Sequence, residues 1–393
     1  MCVKLNENAT YIISRLESHG FSADIVGGSV RDFLLGKEPN DFDITTNATP
    51  DEMRRVFSDL KTVDTGIMHG TLTVVIDKEP YEVTTYRLDG EYSDGRHPDT
   101  VSFAKEIKED LSRRDFTVNA MAYNPARGLT DLFGGRTDLD LRLIRAVGDP
   151  RVRFSEDALR ILRALRFASS LGFNIEENTA IAVKETRNLL SRVSMERIFA
   201  EWKKLIAGTG ACHIISEFSE VIEVFLPEIS GFSIPSADAF DLASPDIREL
   251  LLFHTAGRSS SDYEVAMTRL RSDGKRKKYG SAVLSGMGEE ISDEISFKKL
   301  LINYGADVAR GILELKVAFG ILTKDAISRL DAILSSGTPY RISDLAVSGT
   351  DLLGIGLHGS QIGDTLKSLL IAVSEGLCEN NKNSLLDFVS KNA

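Results

Sequence analysis

Two aspartates separated by one residue, Asp41 and Asp43, are the first candidates for chemistry in this sequence. The alternating stretch 41–46 predicts a β-strand, on which side chains two positions apart point to the same face. Two neighbouring carboxylates repel each other unless a cation neutralises them, and their hard oxygen ligands suit Mg²⁺. A two-metal site can activate an attacking 3′-hydroxyl and steady a triphosphate. Taken alone, the Asp pair is a weak signal, and solvated strand residues are the favoured interpretation.

A glycine pair precedes these aspartates. Gly27 and Gly28 lie where a predicted strand (23–27) turns into a predicted helix (30–35), and there backbone N–H groups can approach a phosphate closely. Arg31 can reach a triphosphate oxygen, or it can lock the turn by pairing with a carboxylate. The motif GGxVRD at this spacing before the Asp pair favours a nucleotide site over a plain turn.

A third carboxylate, Glu82, lies in a strand-like run (80–87) rich in Val and Thr. If this strand is adjacent to the Asp strand, Glu82 completes the metal site. It can also be an exposed or Arg-paired residue, and both interpretations stay open.

The segment RRDFTVNAM (113–121) falls in a predicted helix over 105–121. Arg114 can donate a bidentate pair to ribose or phosphate oxygens, and Asn119 can both donate to and accept from a sugar hydroxyl. The alternative is a capped helix that carries a surface arginine pair.

The segment EDALRILRALRF (156–167) falls in a predicted helix over 155–170. Asp157, Arg160 and Arg163 step by three on this helix and would share adjoining faces. They could form an intrahelical salt-bridge ladder or read a base. A carboxylate accepts from the exocyclic amine that cytosine and adenine carry, whereas uracil and guanine present different groups on that edge.

The surrounding elements predict an α/β head of about 150 residues followed by helices. Helices are predicted at 4–20 and 50–60, strands at 71–77 and 80–87 with a turn at Lys78-Glu79, and a loop at 89–100. Almost everything from 176 to 393 is predicted to be helical, except a connection at 228–250.

The bulk properties restrict the class of protein. The net charge of −11 argues mildly against a nucleic-acid partner, but a local basic groove is sufficient for binding. The three cysteines, Cys2, Cys212 and Cys378, imply neither disulfides nor zinc and fit the cytoplasm. No stretch is apolar enough for a signal peptide or a membrane span.

These four segments, in this order, resemble the class II tRNA nucleotidyltransferases, or CCA-adding enzymes, of the polymerase-β-like superfamily. Bacterial poly(A) polymerases share the same core. The resemblance covers roughly residues 20–205, and the stretch 189–208, with Glu196 and Arg197 at its centre, resembles the neck motif of the family.

The resemblance implies a polymerase-β-like α+β head followed by an all-α neck, body and tail in a seahorse shape. We expect domains at 1–148, 149–208, 209–335 and 336–393. The implied activity is template-independent, Mg²⁺-dependent addition of C, C and A to the tRNA 3′ end from CTP and ATP. The implied partner surface is the acceptor–T arm of tRNA. No membrane partner is expected, and the protein could be a monomer or a homodimer.

The resemblance also assigns site residues. Asp41 and Asp43 would bind Mg²⁺, and we add Glu82 as a catalytic carboxylate. The nucleotide-binding residues would be Gly28 and Arg31 at the phosphates, Arg114 on the nucleotide, Asp157 and Arg160 at the base edge, and Arg163 and Arg166 completing the site.

Three branches of the family differ in sequence. The acidic charge and EDALRILRA favour tRNA over the poly(A) polymerases. The loop 89–103, with Asp94, Arg96 and Pro98 in place, argues against a CC-adding enzyme, which typically lacks it. We prefer the full CCA-adding enzyme, with the A-adding member of a split pair and a poly(A) polymerase as alternatives.

Overall fold

The computed structural model describes residues 6–39, 41–66, 70–89 and 101–392. The chain divides into two compact units, residues 1–225 and 226–393. The first unit contains all the strands among the described residues, and the second is built of helices, as the sequence predicted. This division is coarser than the four predicted domains, whose boundaries stay a prediction. None of the described helices combines the length and apolar character that crossing a membrane requires.

The first unit is organised around a seven-stranded mixed sheet. Its spatial order is β3-β4-β5-β2-β1-β8-β9, and two further two-stranded sheets join β6 to β7 and β10 to β11. The strands are β1 (Ala23–Val26), β2 (Asp43–Thr46), β3 (Lys61–Gly66), β4 (Thr71–Ile76), β5 (Glu79–Thr85), β6 (Arg87–Asp89), β7 (Val101–Phe103), β8 (Met121–Asn124), β9 (Gly128–Asp131), β10 (Leu143–Ile144) and β11 (Asn174–Ile175).

A tight hairpin joins β4 to β5. Asp77 and Lys78 both have positive φ, 51° and 70°, which is the backbone of a two-residue type I′ turn. The turn therefore lies one residue before the predicted Lys78-Glu79. Leu72 and Val74 on β4 and Val83 on β5 are buried, so the hairpin is fixed by one apolar face.

The strand β2 lies inside the sheet. It pairs antiparallel with β1 and parallel with β5, with Ile44 opposite Val83 in the second pair. The predicted strand 41–46 is thus confirmed from Asp43 onward, and Asp41 precedes it.

Eleven α-helices of the first unit are described. They are α1 (Glu7–Ser18), α2 (Gly28–Leu34), α3 (Pro50–Val56), α4 (Ile107–Ser112), α5 (Gly135–Asp140), α6 (Pro150–Glu156), α7 (Leu159–Leu171), α8 (Glu177–Thr186), α9 (Met195–Ile206), α10 (Ala211–Glu217) and α11 (Ser219–Phe225). The predicted start of α3 is confirmed, with Pro50 in the first turn and a reciprocal capping box between Thr49 and Glu52.

The predicted helix over 105–121 is wrong beyond Ser112. A short 3₁₀ turn (Thr117–Asn119) and β8 follow instead. The cause is long-range pairing: the Thr117 N–H donates to the carbonyl of Arg145, and the Val147 N–H donates to the carbonyl of Asp115. The segment is tied to residues 145–147 rather than to its own preceding turn.

The predicted helix over 155–170 is also wrong, because it is two helices. The first, α6, ends at Glu156, and Asp157 has non-helical angles (φ −136°, ψ 104°) before α7 begins at Leu159. The predicted apolar stripe of α7 is confirmed, since Leu159, Leu162 and Leu165 are all buried.

The second unit contains nine described α-helices. They are α12 (Ala237–Leu242), α13 (Pro245–Thr255), α14 (Ser260–Arg269), α15 (Gly274–Ser285), α16 (Glu294–Ala318), α17 (Asp325–Ser335), α18 (Gly349–Leu353), α19 (Ser360–Ser374) and α20 (Lys382–Asn392). Non-helical angles at Gly305 interrupt α16. The predicted connection at 228–250 is partly wrong, because α12 and the first half of α13 lie within it.

Candidate active site

Three carboxylates gather at one edge of β2. Ile44 and Val83 are paired and buried, so Asp43 and Glu82, each one residue earlier, lie on the opposite face of the sheet. Both are exposed. Between the two aspartates, Phe42 lines a small apolar cavity with Phe33 and Tyr123. Because side chains alternate along this segment, Asp41 and Asp43 point to one side and the ring of Phe42 points to the other.

The electrostatics of Asp43 show how close these groups are. Desolvation by the surrounding protein, followed by the negative charges of Asp41 and Glu82, raises the pKa of the Asp43 carboxyl, while the positive charge of Arg114 acts against the rise. Within the described ranges, none of the three acids has a hydrogen bond or an ion pair to another residue. Their oxygen atoms are therefore available to a cation.

The glycine corner, formed by Gly27 and Gly28 where β1 turns into α2, lies next to the guanidinium of Arg114. Gly27 precedes α2 with φ 77° and ψ −133°, a backbone that favours glycine. A Cβ placed there would lie 2.9 Å from Nη1 of Arg114. The absence of a side chain at Gly27 therefore lets the guanidinium reach the start of α2.

Two arginines share one buried acid. Asp110 is fully buried; its Oδ1 accepts from Nη2 of Arg113 at 2.7 Å, and its Oδ2 accepts from Nη2 of Arg114 at 3.2 Å. Burial works against the ionised form, yet the charges of the two arginines hold the pKa of Asp110 below its usual value. Nε of Arg114 is buried and makes no hydrogen bond within the described residues. Asp110 thus orients Arg114 toward Gly27 and the carboxylates.

A chain of polar contacts links α2 to α7. Nη1 of Arg31 donates to Oδ1 of Asn119 at 2.6 Å, and Nδ2 of Asn119 donates to Oδ1 of Asp115 at 3.2 Å. The other oxygen of Asp115 accepts from Arg163. Arg31 also pairs with the neighbouring carboxylate of Asp32 at 2.8 Å, while its predicted phosphate contact stays a prediction.

Three of the predicted nucleotide-binding arginines lie near the buried phenyl ring of Phe167. The guanidinium carbons lie 3.6 Å, 5.3 Å and 5.4 Å from the ring centre of Phe167, for Arg166, Arg163 and Arg31 respectively. Cations are attracted to the face of an aromatic ring. Nε of Arg166 also donates to Oε2 of Glu201 on α9 at 2.9 Å.

Sequence reasoning missed Glu201 and Phe167. A signal existed for Glu201, because it lies on the buried side of the amphipathic helix α9, and a buried acid needs a partner. Phe167 had no signal beyond its position next to Arg166.

The predicted pairing of Asp157 with Arg160 on one helical face is wrong. The Arg160 N–H donates to the Asp157 carbonyl at 3.0 Å, but among the described residues no hydrogen bond joins the two side chains, and each side chain has another partner. Asp157 accepts from Nη2 of Arg197 at 3.0 Å and 3.3 Å. Nη1 of Arg160 donates to Oε2 of Glu156 at 2.6 Å, and its Nη2 donates to the carbonyl of Arg113 at 3.1 Å. The loop residues Asp94, Arg96 and Pro98 lie outside the described residues.

An acidic cluster at the neighbouring strands β2 and β5, a glycine corner and arginines from the following segments define a nucleotidyltransferase head. The sequence agrees with this class: residues 23–145 match the family described as "Poly A polymerase head domain", and residues 172–231 match "Probable RNA and SrmB- binding site of polymerase A". The chain is 35% identical over 399 residues to the CCA-adding enzyme of Pediococcus pentosaceus, with 98% of each chain covered. It is 37% identical to that of Lactococcus lactis subsp. cremoris, covering 97% of this chain and 95% of the relative. The chain therefore belongs to the CCA-adding enzymes, a family of tRNA nucleotidyltransferases.

Solved structures agree with this assignment. The crystal structure of the Bacillus stearothermophilus CCA-adding enzyme in complex with CTP superposes with a TM-score of 0.84 at 33% identity, covering 98% of this chain and 96% of that chain. The Thermotoga maritima CCA-adding enzyme complexed with tRNA has a TM-score of 0.69 at 21% identity and shares the fold.

Proposed function

We propose that this chain adds C, C and A to the 3′ end of tRNA from CTP and ATP, without a template, and releases pyrophosphate. The observation that carries the proposal is the cluster of Asp41, Asp43 and Glu82 beside Arg114. The cluster lies in a chain that aligns along nearly its whole length with CCA-adding enzymes.

The donor set fits Mg²⁺. Asp41 and Asp43 offer hard oxygen atoms that have no competing side-chain partner among the described residues, and Glu82 lies on the same face as Asp43. The described residues contain no group of three or more His, Cys, Asp or Glu already arranged around a metal position. Mg²⁺ is commonly held by one or two carboxylates and completed by water and substrate phosphates, so Asp41 and Asp43 are a sufficient set of protein ligands. When bound, the metal would lower the pKa of the attacking hydroxyl and stabilise charge on the triphosphate.

The reaction is an in-line substitution at the α-phosphate. The oxygen of the tRNA 3′-hydroxyl forms a bond to the α-phosphorus, the bond from that phosphorus to the bridging oxygen breaks, and pyrophosphate leaves. The hydroxyl proton passes to solvent or to a carboxylate of the cluster. Arg114, held by Asp110, faces the phosphates with Gly28 and Arg31 at the start of α2. Positioning and preorganised charge supply the rate enhancement.

Base selection falls to Asp157 and Arg160. The carboxylate accepts a hydrogen bond from the exocyclic amine of cytosine or adenine, and the guanidinium donates to a ring nitrogen or carbonyl oxygen. Arg163 and Arg166, gathered on Phe167, complete the nucleotide site. The helices of 209–393 would hold the acceptor–T arm of tRNA. The expected location of the activity is the cytoplasm.

The product sequence tests this function. The protein is incubated with CTP, ATP and Mg²⁺ and three tRNA transcripts that lack CCA, end in C or end in CC. We expect all three to be completed to CCA. An enzyme that extends only the transcript ending in CC is an A-adding enzyme, and one that adds a long run of A is a poly(A) polymerase.

Asp43→Ala tests the metal assignment. We expect incorporation to fall by at least about a hundredfold, with tRNA affinity unchanged in a gel-shift assay, because only transition-state stabilisation is lost. Asp51→Ala is the control, since Asp51 is exposed at the start of α3. Full activity in Asp43→Ala contradicts the metal assignment.

A further inference from the structure

The helix α16 contains a kink that only glycine can form. Gly305 has φ 75° and ψ 169°, and helical residues lie before and after it. Side chains with a Cβ are essentially excluded from this region of backbone angles. Without the kink, the 25 residues of α16 would form one rod of about 37 Å. Gly305 therefore divides α16 into a first half (294–304) and a second half (306–318).

The first half of α16 packs with the C-terminal helices. Ile302 packs against an apolar cluster from α18, α19, α20 and the residues before them. Nζ of Lys299 lies 2.7 Å from Oε1 of Glu375, at the end of α19. The buried members of this cluster, which we call the tail cluster, are Leu345, Val347, Leu352, Leu366, Leu369, Leu370, Leu385 and Val389.

The second half of α16 packs with the preceding helices instead. A Cβ placed at Gly311 would lie 2.4 Å from Oη of Tyr279, so α16 and α15 approach closely there. Oε2 of Glu314 accepts from Oγ of Ser244, at the start of α13, at 3.0 Å. The two halves of one helix are thus held to two different groups of helices.

The helix α17 lies against both halves. Its Asp331 pairs with Arg310 on the second half. The guanidinium carbon of its Arg329 lies 4.8 Å from the ring centre of Phe297 on the first half, within the range of a cation–π contact. Gly305 therefore permits the kink, and contacts from α17 on either side of it hold the angle.

We propose that the kink at Gly305 sets the angle between two parts of a tRNA-binding surface, one on the tail cluster and one on α13–α15. The inference rests on the proposed function, in which the helices of 209–393 hold the acceptor–T arm. Both parts carry exposed cations that suit a phosphate backbone, Lys275 and Lys278 on α15 and Lys367 on α19. Double-stranded RNA is a regular helix that proteins recognise mainly by its shape. Two parts that bind it together gain affinity only when their geometry lets both engage at once.

The experiment measures the dissociation constant for a full tRNA transcript in a filter-binding assay. Alanine cannot adopt the angles of Gly305 and prefers the helix, so Gly305→Ala should straighten α16 and change the angle between the two parts. We expect the Kd for tRNA to rise by at least about tenfold, because simultaneous engagement is lost, and KM for CTP at saturating tRNA to stay unchanged. Gly320→Ala is the matched control. Gly320 also has positive φ, 68°, with open space at the Cβ position, but it lies beyond the end of α16, so its loss should leave the Kd unchanged.

A second substrate separates a changed angle from general damage. A hairpin of the acceptor stem without the T arm offers only one end of the arm, so wild type and Gly305→Ala should bind it with equal affinity. Equal losses of affinity for the tRNA and for the hairpin overturn the proposal, and so does an unchanged Kd for tRNA.

Small-angle X-ray scattering of the free protein gives a readout that does not depend on activity. The profile of Gly305→Ala should differ from that of wild type, whereas the profile of Gly320→Ala should superpose on it. Weaker tRNA binding with an unchanged profile contradicts a role of the angle.

Asp331→Asn keeps the proposal testable if Gly305→Ala fails to fold, as judged by its thermal midpoint. This variant removes the ion pair between α17 and Arg310 and loosens the support of the kink, so the Kd for tRNA should rise by about threefold. The loss of a negative charge would by itself tighten binding to RNA. An unchanged or lower Kd therefore overturns the proposal.

Failure of this proposal is distinguishable from failure of the proposed function. If wild type binds tRNA and completes CCA while Gly305→Ala binds tRNA equally well, only the role of the kink is overturned. If wild type binds no tRNA, the proposed function fails and the role of the kink fails with it.

Discussion

Arg163 and Asp115 form a two-hydrogen-bond ion pair that ties α7 to the segment after α4. Nε and Nη2 of the arginine lie 2.9 Å and 2.5 Å from Oδ2 of the aspartate. Burial opposes ionisation of Asp115, but the charge and hydrogen bonds of Arg163, helped by Asn119, hold the pKa of that carboxyl below its usual value. The pair therefore stabilises the fold only while Asp115 is ionised.

Asp115→Asn should lower the free energy of unfolding at pH 7 by about 2 kcal/mol, because it removes the nearer charged partner of Arg163 and leaves only the 3.9 Å ion pair with Glu201. Since the folded pKa is depressed, this stabilisation is present above the unfolded value of about 4 and is lost as the pH falls through the folded value. Urea denaturation at pH 7 and at pH 3.5 measures the difference between wild type and variant. Equal differences at both pH values contradict the assignment. Asp140→Asn, at an exposed i,i+4 pair with Arg136, should cost about 0.5 kcal/mol or less.

Gly27→Ala should weaken nucleotide binding through Arg114. The new Cβ would lie 2.9 Å from Nη1 of the arginine and would displace it, so we expect KM for CTP and for ATP to rise by about tenfold, the loss of one charge-assisted contact. Gly36→Ala is the control, because Gly36 also has positive φ but has open space where a Cβ would go. Each variant should lose about 1 kcal/mol of stability from backbone strain. A KM increase of the same size in both variants contradicts the role given to Gly27.

Glu82→Gln tests whether this residue supports the metal. Removal of its charge should raise the Mg²⁺ concentration needed for half-maximal incorporation by about tenfold, because Asp41 and Asp43 then hold the cation with less negative charge around it. Glu79→Gln, on the same strand, is the control; an amide oxygen can still accept from the Tyr81 hydroxyl there. An unchanged Mg²⁺ requirement in Glu82→Gln removes this residue from the site.

The parts of the site that follow from local periodicity were predictable. Alternation of side chains on a strand placed Asp43 on the face opposite Ile44, and the glycine pair marked the turn into α2. Helical spacing likewise identified the buried stripe of α7. These features depend on neighbours within a few residues, which the sequence contains.

Features that depend on distant partners were not predictable in this way. The stretch RRDFTVNAM has helix-compatible residues, but pairing of Asp115 and Thr117 with 145–147 prevents a helix. The break at Asp157 combines a local and a distant contact, because the Leu159 N–H two residues later and Arg197 forty residues later both donate to its carboxylate. The polar strand β3 lacks the alternation of an amphipathic strand and was missed; it pairs with β4 at the edge of the sheet.

The break at Asp157 has a consequence for where the sequence of the added nucleotides is specified. A template-dependent polymerase takes the sequence of its product from a separate nucleic-acid strand. On the proposed function, this chain specifies the sequence CCA through the side chains of Asp157 and Arg160, which lie at the break between α6 and α7 and on α7. A substitution at Asp157 or Arg160 would therefore change which nucleotides are added to each tRNA substrate, and no template strand exists against which such an error could be corrected.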